Sequence, residues 1–285
     1  MKLLIATTDS GCAQLRALRH RSAMSAAGVV ALLSLGATAP AIAQIAIDRT
    51  EIQFRAEPGE PTVAVIGLHN EGKERVQAVV RLEDWDRGID GTNNWYPYAT
   101  KPGSCGKALG VFPLTVSLEP DARQSIRVTV DSAAGLDHEC WAGAIVETVQ
   151  PHVVNGRNVA YVIRTATKIY VQPPILAAHG EVAELKVTRS DTTAAAATAA
   201  DSAIELQFDN TGTKHLVTSG EIQFRRPDNS VAETVKLPML YTLPGAKSVA
   251  RVAMPKLAAG RYIVLAVLDY GGDELAAGQI EFEVR

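Results

Sequence analysis

From Ile45 to its C-terminal end, the sequence is a succession of short runs in which apolar and polar residues alternate, and turn residues separate the runs. Side chains of an extended chain point to its two faces in turn, so each run predicts a half-buried β-strand. Almost no segment keeps the 3.6-residue period of an amphipathic helix. The alternation therefore predicts an all-β protein.

The first part of the chain contains seven predicted strands. They span residues 45–54, 62–69, 76–85, 111–118, 124–130, 141–149 and 159–171. The last two are joined across Asn155-Gly156, which is the strongest short hairpin signal in the chain. Seven strands in about 130 residues is the count of an immunoglobulin-like β-sandwich.

Pro173-Pro174 denies the chain ladder hydrogen bonds, so we place a domain boundary there, between residues 44–173 and residues 174–285. Seven more strands are predicted after it, at residues 185–188, 204–208, 220–225, 235–237, 248–254, 262–269 and 279–284. The prediction is thus two immunoglobulin-like β-sandwich domains. Tyr262 opens one of these strands as the tyrosine of an immunoglobulin corner does, and its hydroxyl is expected to bond back to the main chain.

The first 43 residues have the pattern of a secretory signal peptide. Arg16, Arg19 and Arg21 precede a run of small apolar residues at 26–37, and Ala41-Ile42-Ala43 offers an A-x-A cleavage site. A membrane anchor would need about 20 strongly apolar residues, whereas Ala, Ser and Gly dominate here. Cleavage would remove four basic residues and one acidic residue, which leaves 24 Lys and Arg against 30 Asp and Glu, a formal charge of −6. We therefore expect an exported, mildly acidic protein without nucleic-acid affinity and without a membrane segment after cleavage.

Two cysteines remain after cleavage, Cys105 and Cys140, because Cys12 lies in the signal segment. In an oxidising compartment an isolated pair most simply forms one disulfide. The alternative is two buried thiols.

The sequence offers no constellation of residues for catalysis. No G-x-S-x-G motif is present, and the five histidines outside the signal segment are scattered over strand ends, turns and linkers. Residues 86–94 carry several oxygen-bearing side chains, but their spacing does not fit an EF-hand, so a plain hairpin loop is favoured over a calcium site. We predict no enzymatic activity, no cofactor and no metal.

The longest alternating run, residues 159–171, ends at Pro173. Val159, Tyr161 and Ile163 share one face of it, and Lys168 lies on the other. Such a strand is either a buried core strand or a ladder offered to a partner, and the second interpretation is favoured here.

Three short stretches carry a resemblance to a known family. They are Ile47-Asp48-Arg49-Thr50, Leu118-Glu119-Pro120 and Lys168-Ile169-Tyr170-Val171-Gln172-Pro173. Together with the export signal they resemble the PapD-like periplasmic chaperones of chaperone–usher pilus assembly, over residues 45–174. The resemblance implies two sandwiches set as an L with a cleft between them, a periplasmic location, and pilus or fimbrial subunits and an outer-membrane usher as partners.

In that family the last strand of the first domain is lent to an incomplete subunit. The resemblance makes Val159, Tyr161 and Ile163 the donor side chains, and Lys168 the anchor for the subunit's C-terminal carboxylate. The family's second cation corresponds here to Glu51, and Arg49 or Arg164 could substitute for it. Because Lys168 faces away from the donor side chains in a regular strand, both can serve one partner only if a β-bulge intervenes.

The sequence thus leaves two functions open. The favoured one is a periplasmic chaperone that stabilises pilus-type subunits by donating residues 159–171, which Lys168 and the long strand support. The alternative is a secreted structural or adhesive module of the cell surface, which Glu51 supports.

Overall fold

The computed structural model describes residues 45–57, 60, 62–131, 136–154, 156–189 and 202–284. The predicted signal segment, residues 1–43, lies outside the described residues. Within them, no helix is both long and apolar enough to cross a membrane.

The first sandwich is built from ten strands in the described part of the chain. They are β1 (Ile45–Ile47), β2 (Glu51–Arg55), β3 (Val63–Asn70), β4 (Val76–Arg87), β5 (Asn93–Pro97), β6 (Leu109–Phe112), β7 (Thr115–Leu118), β8 (Arg123–Val130), β9 (Cys140–Val154) and β10 (Arg157–Gln172). One sheet has the order β1-β3-β8-β6, and the other has the order β2-β10-β9-β4-β5, with β7 also paired to β4.

The prediction of one strand over residues 45–54 is wrong, because the chain changes sheets within it. β1 pairs with β3 in one sheet, and β2 pairs with β10 in the other. Asp48 fixes the crossing point: its carboxylate accepts a hydrogen bond from the Gly67 amide at 2.8 Å. A side chain at Gly67 would collide with that carboxylate, 2.7 Å from where its Cβ would lie.

The prediction of one strand over residues 111–118 is also wrong. Pro113 interrupts the run and offers no N–H to a ladder, so β6 stays with β8 while β7 joins β4 in the opposite sheet. A third difference is β5, which pairs with the end of β4 and was not predicted. Its sequence, Asn-Asn-Trp-Tyr-Pro, lacks the alternation that marks the other strands.

The core of the first sandwich lies between its two sheets. Its fully buried side chains come from both of them, and the largest are Ile66, Leu68, Leu118, Ile126 and Ile169. The burial of alternate residues in β2, β4 and β8 follows the alternation in the sequence.

Cys105 and Cys140 are joined in a disulfide, as predicted. The bond links the start of a short 3₁₀ turn, Gly106–Ala108, to the first residue of β9. Both cysteines are buried at the edge of the core.

The second sandwich contains eight described strands. They are β11 (Gly180–Arg189), β12 (Ser202–Asn210), β13 (Leu216–Arg225), β14 (Val231–Lys236), β15 (Leu240–Thr242), β16 (Lys247–Ala253), β17 (Gly260–Asp269) and β18 (Ala276–Val284). β11-β12-β16 form one sheet and β14-β13-β17-β18 the other, with β15 paired to β13. Seven of the eight were predicted, and the three-residue β15 was not.

The second sandwich has its own core, in which Phe208, Phe224 and Val264 are fully buried. The Tyr262 hydroxyl donates a hydrogen bond to the Ala258 carbonyl at 2.9 Å, so the predicted tyrosine corner is confirmed. The predicted fold class, all-β with two β-sandwiches, is confirmed.

Candidate functional site

The hairpin of β9 and β10 runs in unbroken antiparallel register from Arg157, opposite Val154, to Val171, opposite Cys140. It contains no bulge, so Tyr161 and Lys168 point to opposite faces of the sheet. Within this hairpin, Lys168 therefore does not share a face with Val159, Tyr161 and Ile163.

β9 pairs with one edge of β10, and two parts of β10 differ in whether a strand also pairs with the opposite edge. Residues 168–172, which we call the closed half, pair in parallel with β2. Residues 157–167, which we call the open half, pair with β9 alone, since no other described strand lies beside them. β10 is thus an inner strand at its end and an edge strand along most of its length.

The edge towards which each backbone N–H and C=O group of the open half points follows from the hydrogen bonds of the closed half. The Lys168 amide donates to the Thr50 carbonyl at 2.8 Å, towards β2. Because successive residues of a strand direct their N–H and C=O groups to opposite edges, Ala160, Val162 and Arg164 direct theirs the same way as Lys168, where no described strand receives them. The open half therefore presents an unpaired hydrogen-bonding ladder.

The side chains of the two halves also differ. Ile169 and Val171 are fully buried in the core. Val159, Tyr161 and Ile163 lie on the same face as these two, but Val159 is 37% and Tyr161 48% exposed, and Ile163 is half-buried. The core-side face of β10 thus continues beyond the core as an apolar strip.

Lys168 lies where the two halves meet, on the face that points to the second sandwich. Its ammonium nitrogen lies 4.3 Å from the centre of the Trp85 ring. It borders a cavity of about 60 Å³, which we call the Lys168 cavity. Side chains of both sandwiches line this cavity, among them Glu51, Trp85, Arg87, Tyr170 and Tyr241.

Burial lowers the pKa of Lys168 below its ordinary value, the charge of Arg87 lowers it further, and Glu51 acts in the opposite direction. Although Glu51 pairs with Lys168 in the sheet register, its carboxylate accepts a hydrogen bond from the Gln53 side chain at 2.7 Å. No described carboxylate lies within 4 Å of the Lys168 ammonium. The ammonium is therefore positioned on an aromatic ring without an anionic partner among these residues.

An aromatic cluster supports the cavity from the first sandwich. Trp85, Trp141 and Tyr170 are buried together with Leu243 of the second sandwich. The Trp141 ring nitrogen donates to the Trp85 carbonyl at 2.7 Å, which fixes one indole against the backbone of the neighbouring strand. Gly143 leaves room for a further ring, because a Cβ there would lie 2.3 Å from Trp95.

A buried hydrogen bond joins the two sandwiches beside this cluster. Glu139 is fully buried, and its carboxylate lies 2.7 Å from His215 Nδ1. It also accepts a hydrogen bond from the Gln172 side chain at 2.8 Å. The His215 ring stacks on Tyr170 with 4.1 Å between centroids. The end of β10 is therefore held against the second sandwich through Tyr170 and His215, and no sequence motif predicts the contact between Glu139 and His215.

Arg49 and Arg164 were predicted as possible substitutes for the second cation. Neither of them lines the Lys168 cavity. Arg49 lies between β1 and β2, where its Nε is 3.7 Å from Asp48 Oδ1 and its side chain is half exposed. The Arg164 guanidinium is hydrogen-bonded to Glu83 and lies 3.5 Å from Glu147. Both guanidiniums are thus engaged by carboxylates outside the cavity.

Residues 86–94 comprise the end of β4, the turn at residues 88–92 and the start of β5, and together they form a hairpin. Asp86 forms an ion pair with Lys101 at 3.0 Å, and Asp90 accepts a hydrogen bond from the Thr92 amide at 3.0 Å. The described residues include no group of three or more His, Cys, Asp or Glu side chains arranged for a metal ion. The carboxylates of this hairpin serve the protein's own hydrogen bonds.

Comparison with known proteins gave matches among solved structures. No family model and no curated protein sequence matches the chain. The class 5 fimbriae chaperone CfaA is 16% identical, covers 85% of this chain and 100% of its own, and gives a TM-score of 0.46. The Escherichia coli chaperone DraB is 15% identical, covers 85% and 98%, and gives 0.44. The structure of CsuC with the tip subunit CsuE, from archaic chaperone–usher pili of Acinetobacter baumannii, is 13% identical, covers 83% and 98%, and gives 0.45.

Proposed function

We propose that the chain is a periplasmic chaperone for pilus-type subunits, and that it holds a subunit by pairing one of the subunit's strands with the open half of β10. The observation that carries this proposal is the unpaired ladder of the open half, with an apolar strip on one face and Lys168 at its end. An exposed edge strand with apolar side chains is an aggregation hazard that proteins normally cover. A partner strand would cover it.

The position of β2 limits how far a partner strand can extend along β10. β2 begins opposite Lys168 and occupies the edge of the closed half from there on. A strand added to the open half therefore meets the chain that leads into β2, where the Thr50 carbonyl accepts from the Lys168 amide, and can extend no further. If its C-terminal carboxylate lies near Lys168, the strand runs parallel to β10, as β2 does.

The two faces of the open half then have separate roles. Val159, Tyr161 and Ile163 would enter an apolar groove of the subunit from the core-side face. Lys168 would hold the terminal carboxylate on the other face. No bulge is needed for this, because a chain end that has passed the last paired residue can turn towards either face. Main-chain hydrogen bonds would supply affinity with little dependence on sequence, and the charge would fix the register.

Export by the predicted signal peptide would bring the chain to the periplasm, where such subunits are assembled in the family that it resembles. The resemblance also implies an outer-membrane usher as a second partner. Both belong to the proposal.

The proposal is tested by recovering tagged protein from the periplasm of its source organism, with co-purified proteins identified by mass spectrometry. Wild type should carry a pilus-type subunit that lacks one strand. Tyr161→Asp should lose it, because a charge placed in an apolar groove is left unpaired. Val162→Asp is the matched control, since Val162 is 56% exposed on the opposite face of the same strand.

Thermal melts of both variants show whether they fold. If Tyr161→Asp folds and still binds the subunit, the strand is not the binding element. If no such subunit co-purifies with wild type, the chaperone function is contradicted and the role as a cell-surface module is favoured.

A further inference from the structure

A second cation borders the Lys168 cavity. Arg87 is the last residue of β4, and its guanidinium carbon lies 5.3 Å from the centre of the Tyr241 ring in the second sandwich. Its Nη1 donates a hydrogen bond to the Asn93 side chain at 3.0 Å. Arg87 is thus held by one contact from each sandwich, in the wall of the cavity that Lys168 also lines.

Neither cation of this pair is neutralised by the residues that the structure describes. Arg87 forms no ion pair with a described carboxylate within 4 Å, and the same holds for Lys168. The Nε of Arg87 is buried and has no hydrogen-bond partner among the described residues. A buried donor without a partner is costly, and two like charges on one small cavity repel each other. The pKa of Lys168 is lowered first by burial and then by the charge of Arg87.

An anion in the cavity would relieve both costs at once. It would lie between the two cations and could accept hydrogen bonds from the donors that they present. A guanidinium suits a carboxylate because its planar fork can donate two parallel hydrogen bonds, whereas an ammonium acts as a compact point charge. Glu51 also borders the cavity, but its carboxylate is exposed and bound to Gln53.

We propose that Arg87 is the second cation of the site that binds the partner's C-terminal carboxylate, together with Lys168. This rests on the proposed function, because the partner strand must end at Lys168 for its carboxylate to reach the cavity. Arg87 contacts Tyr241, so the site depends on both sandwiches and not on the strand alone.

The test uses two fluorescently labelled synthetic peptides of alternating valine and threonine, one ending in a free carboxylate and the other in an amide. Wild type should bind the acid about tenfold or more tightly than the amide at low salt. Arg87→Gln should reduce this preference by about three- to tenfold, because the acid loses a charge–charge interaction that the neutral amide never makes. Arg87→Lys, which keeps a positive charge, should retain part of the preference.

Arg127→Gln is the control for a general loss of positive charge, because Arg127 is exposed on β8 in the other sheet of the same sandwich. It should leave the preference unchanged. Melting temperatures identify any variant that fails to fold, and Arg87→Lys keeps the test decisive if Arg87→Gln is such a variant.

Each outcome separates this inference from the proposed function. If wild type prefers the acid and the Arg87 variants keep the full preference, Arg87 is not part of the site, while the strand pairing and Lys168 stand. If acid and amide bind equally, the carboxylate site is excluded and strand pairing alone remains. If neither peptide binds, pairing at the open half fails, and the site fails with it.

Discussion

The two halves of β10 have the same alternating sequence pattern and opposite environments. In the closed half, β2 and β9 pair with both edges, and Ile169 and Val171 are fully buried. In the open half only β9 pairs, and Val159 and Tyr161 on the same face remain substantially exposed. Alternation therefore specifies a strand with one apolar face, but the neighbouring strands decide whether that face becomes core or surface.

This difference assigns separate tasks to the two halves. The closed half stabilises the first sandwich and, through Tyr170, contacts the second. The open half adds few core contacts of its own, leaves an edge with which no described strand pairs, and exposes part of an apolar strip. We expect changes in the closed half to affect stability and changes in the open half to affect binding.

The largest expected effect contrasts two isoleucines on the same face of β10. Ile169→Asp should destabilise the first sandwich by about 4 kcal/mol or more, because it places an unpaired charge in the core. Ile163→Asp should cost about 1 kcal/mol, because its site is only half-buried. Urea denaturation of the two variants measures the contrast. Equal losses would show that the open half belongs to the core.

The disulfide provides a second contrast, because Cys140 lies opposite Val171 in the closed half. The bond closes a loop of 35 residues. Replacing both cysteines by alanine should lower the free energy of unfolding by about 3 to 4 kcal/mol. The affinity of the folded variant for the peptide with a free C-terminal carboxylate should be unchanged. A loss of binding in the folded fraction would mean that the closed half also controls the shape of the open edge.

The smallest expected effect concerns Lys168, at the junction of the halves. Because its pKa is lowered in the folded state by burial and by Arg87, the unfolded chain binds more protons at this site as pH approaches the ordinary value of 10.5. The stability contributed by this group therefore rises with pH in that range. Lys168→Met keeps the apolar stem and should stabilise the free protein at pH 7 by less than about 1 kcal/mol.

The difference in free energy of unfolding between Lys168→Met and wild type should shrink as pH rises towards about 10, since the wild-type lysine progressively loses its charge over that range. Urea denaturation of wild type and of Lys168→Met, at pH 7 and at about pH 10, measures this difference. An advantage for the variant that grows with pH would show that the ammonium is stabilised, not penalised, in the free protein.

How far the sequence predicts the fold depends on the strength of the alternation. Long alternating runs such as β9 and β10 were found together with their hairpin. Two sheet changes were missed, at Asp48 and Pro113, because a chain that crosses between sheets keeps the same apolar pattern on both sides. β5 and β15 were missed because they are short, and only pairing with β4 and β13 makes them strands.

The candidate site could be predicted from the sequence only in part, for a related reason. Lys168 stands in a local motif of the family that the chain resembles, and Val159, Tyr161 and Ile163 are assigned by their position in the same strand; their roles stay predictions. Arg87, and the pair of Glu139 and His215, have no local motif, since each gains its place from contacts between the two sandwiches. Sequence spacing cannot show which side chains meet across such an interface.

The most direct test of the central claim is amide hydrogen exchange along β10, measured by NMR with and without the carboxylate peptide. In the free protein the amides of Ala160, Val162 and Arg164 should exchange fast, and those of Tyr161 and Ile163, which point to β9, should exchange slowly. On binding, the three fast amides should become protected while the two slow ones change little. Fast exchange of those three amides at saturating peptide would contradict strand addition at the open half.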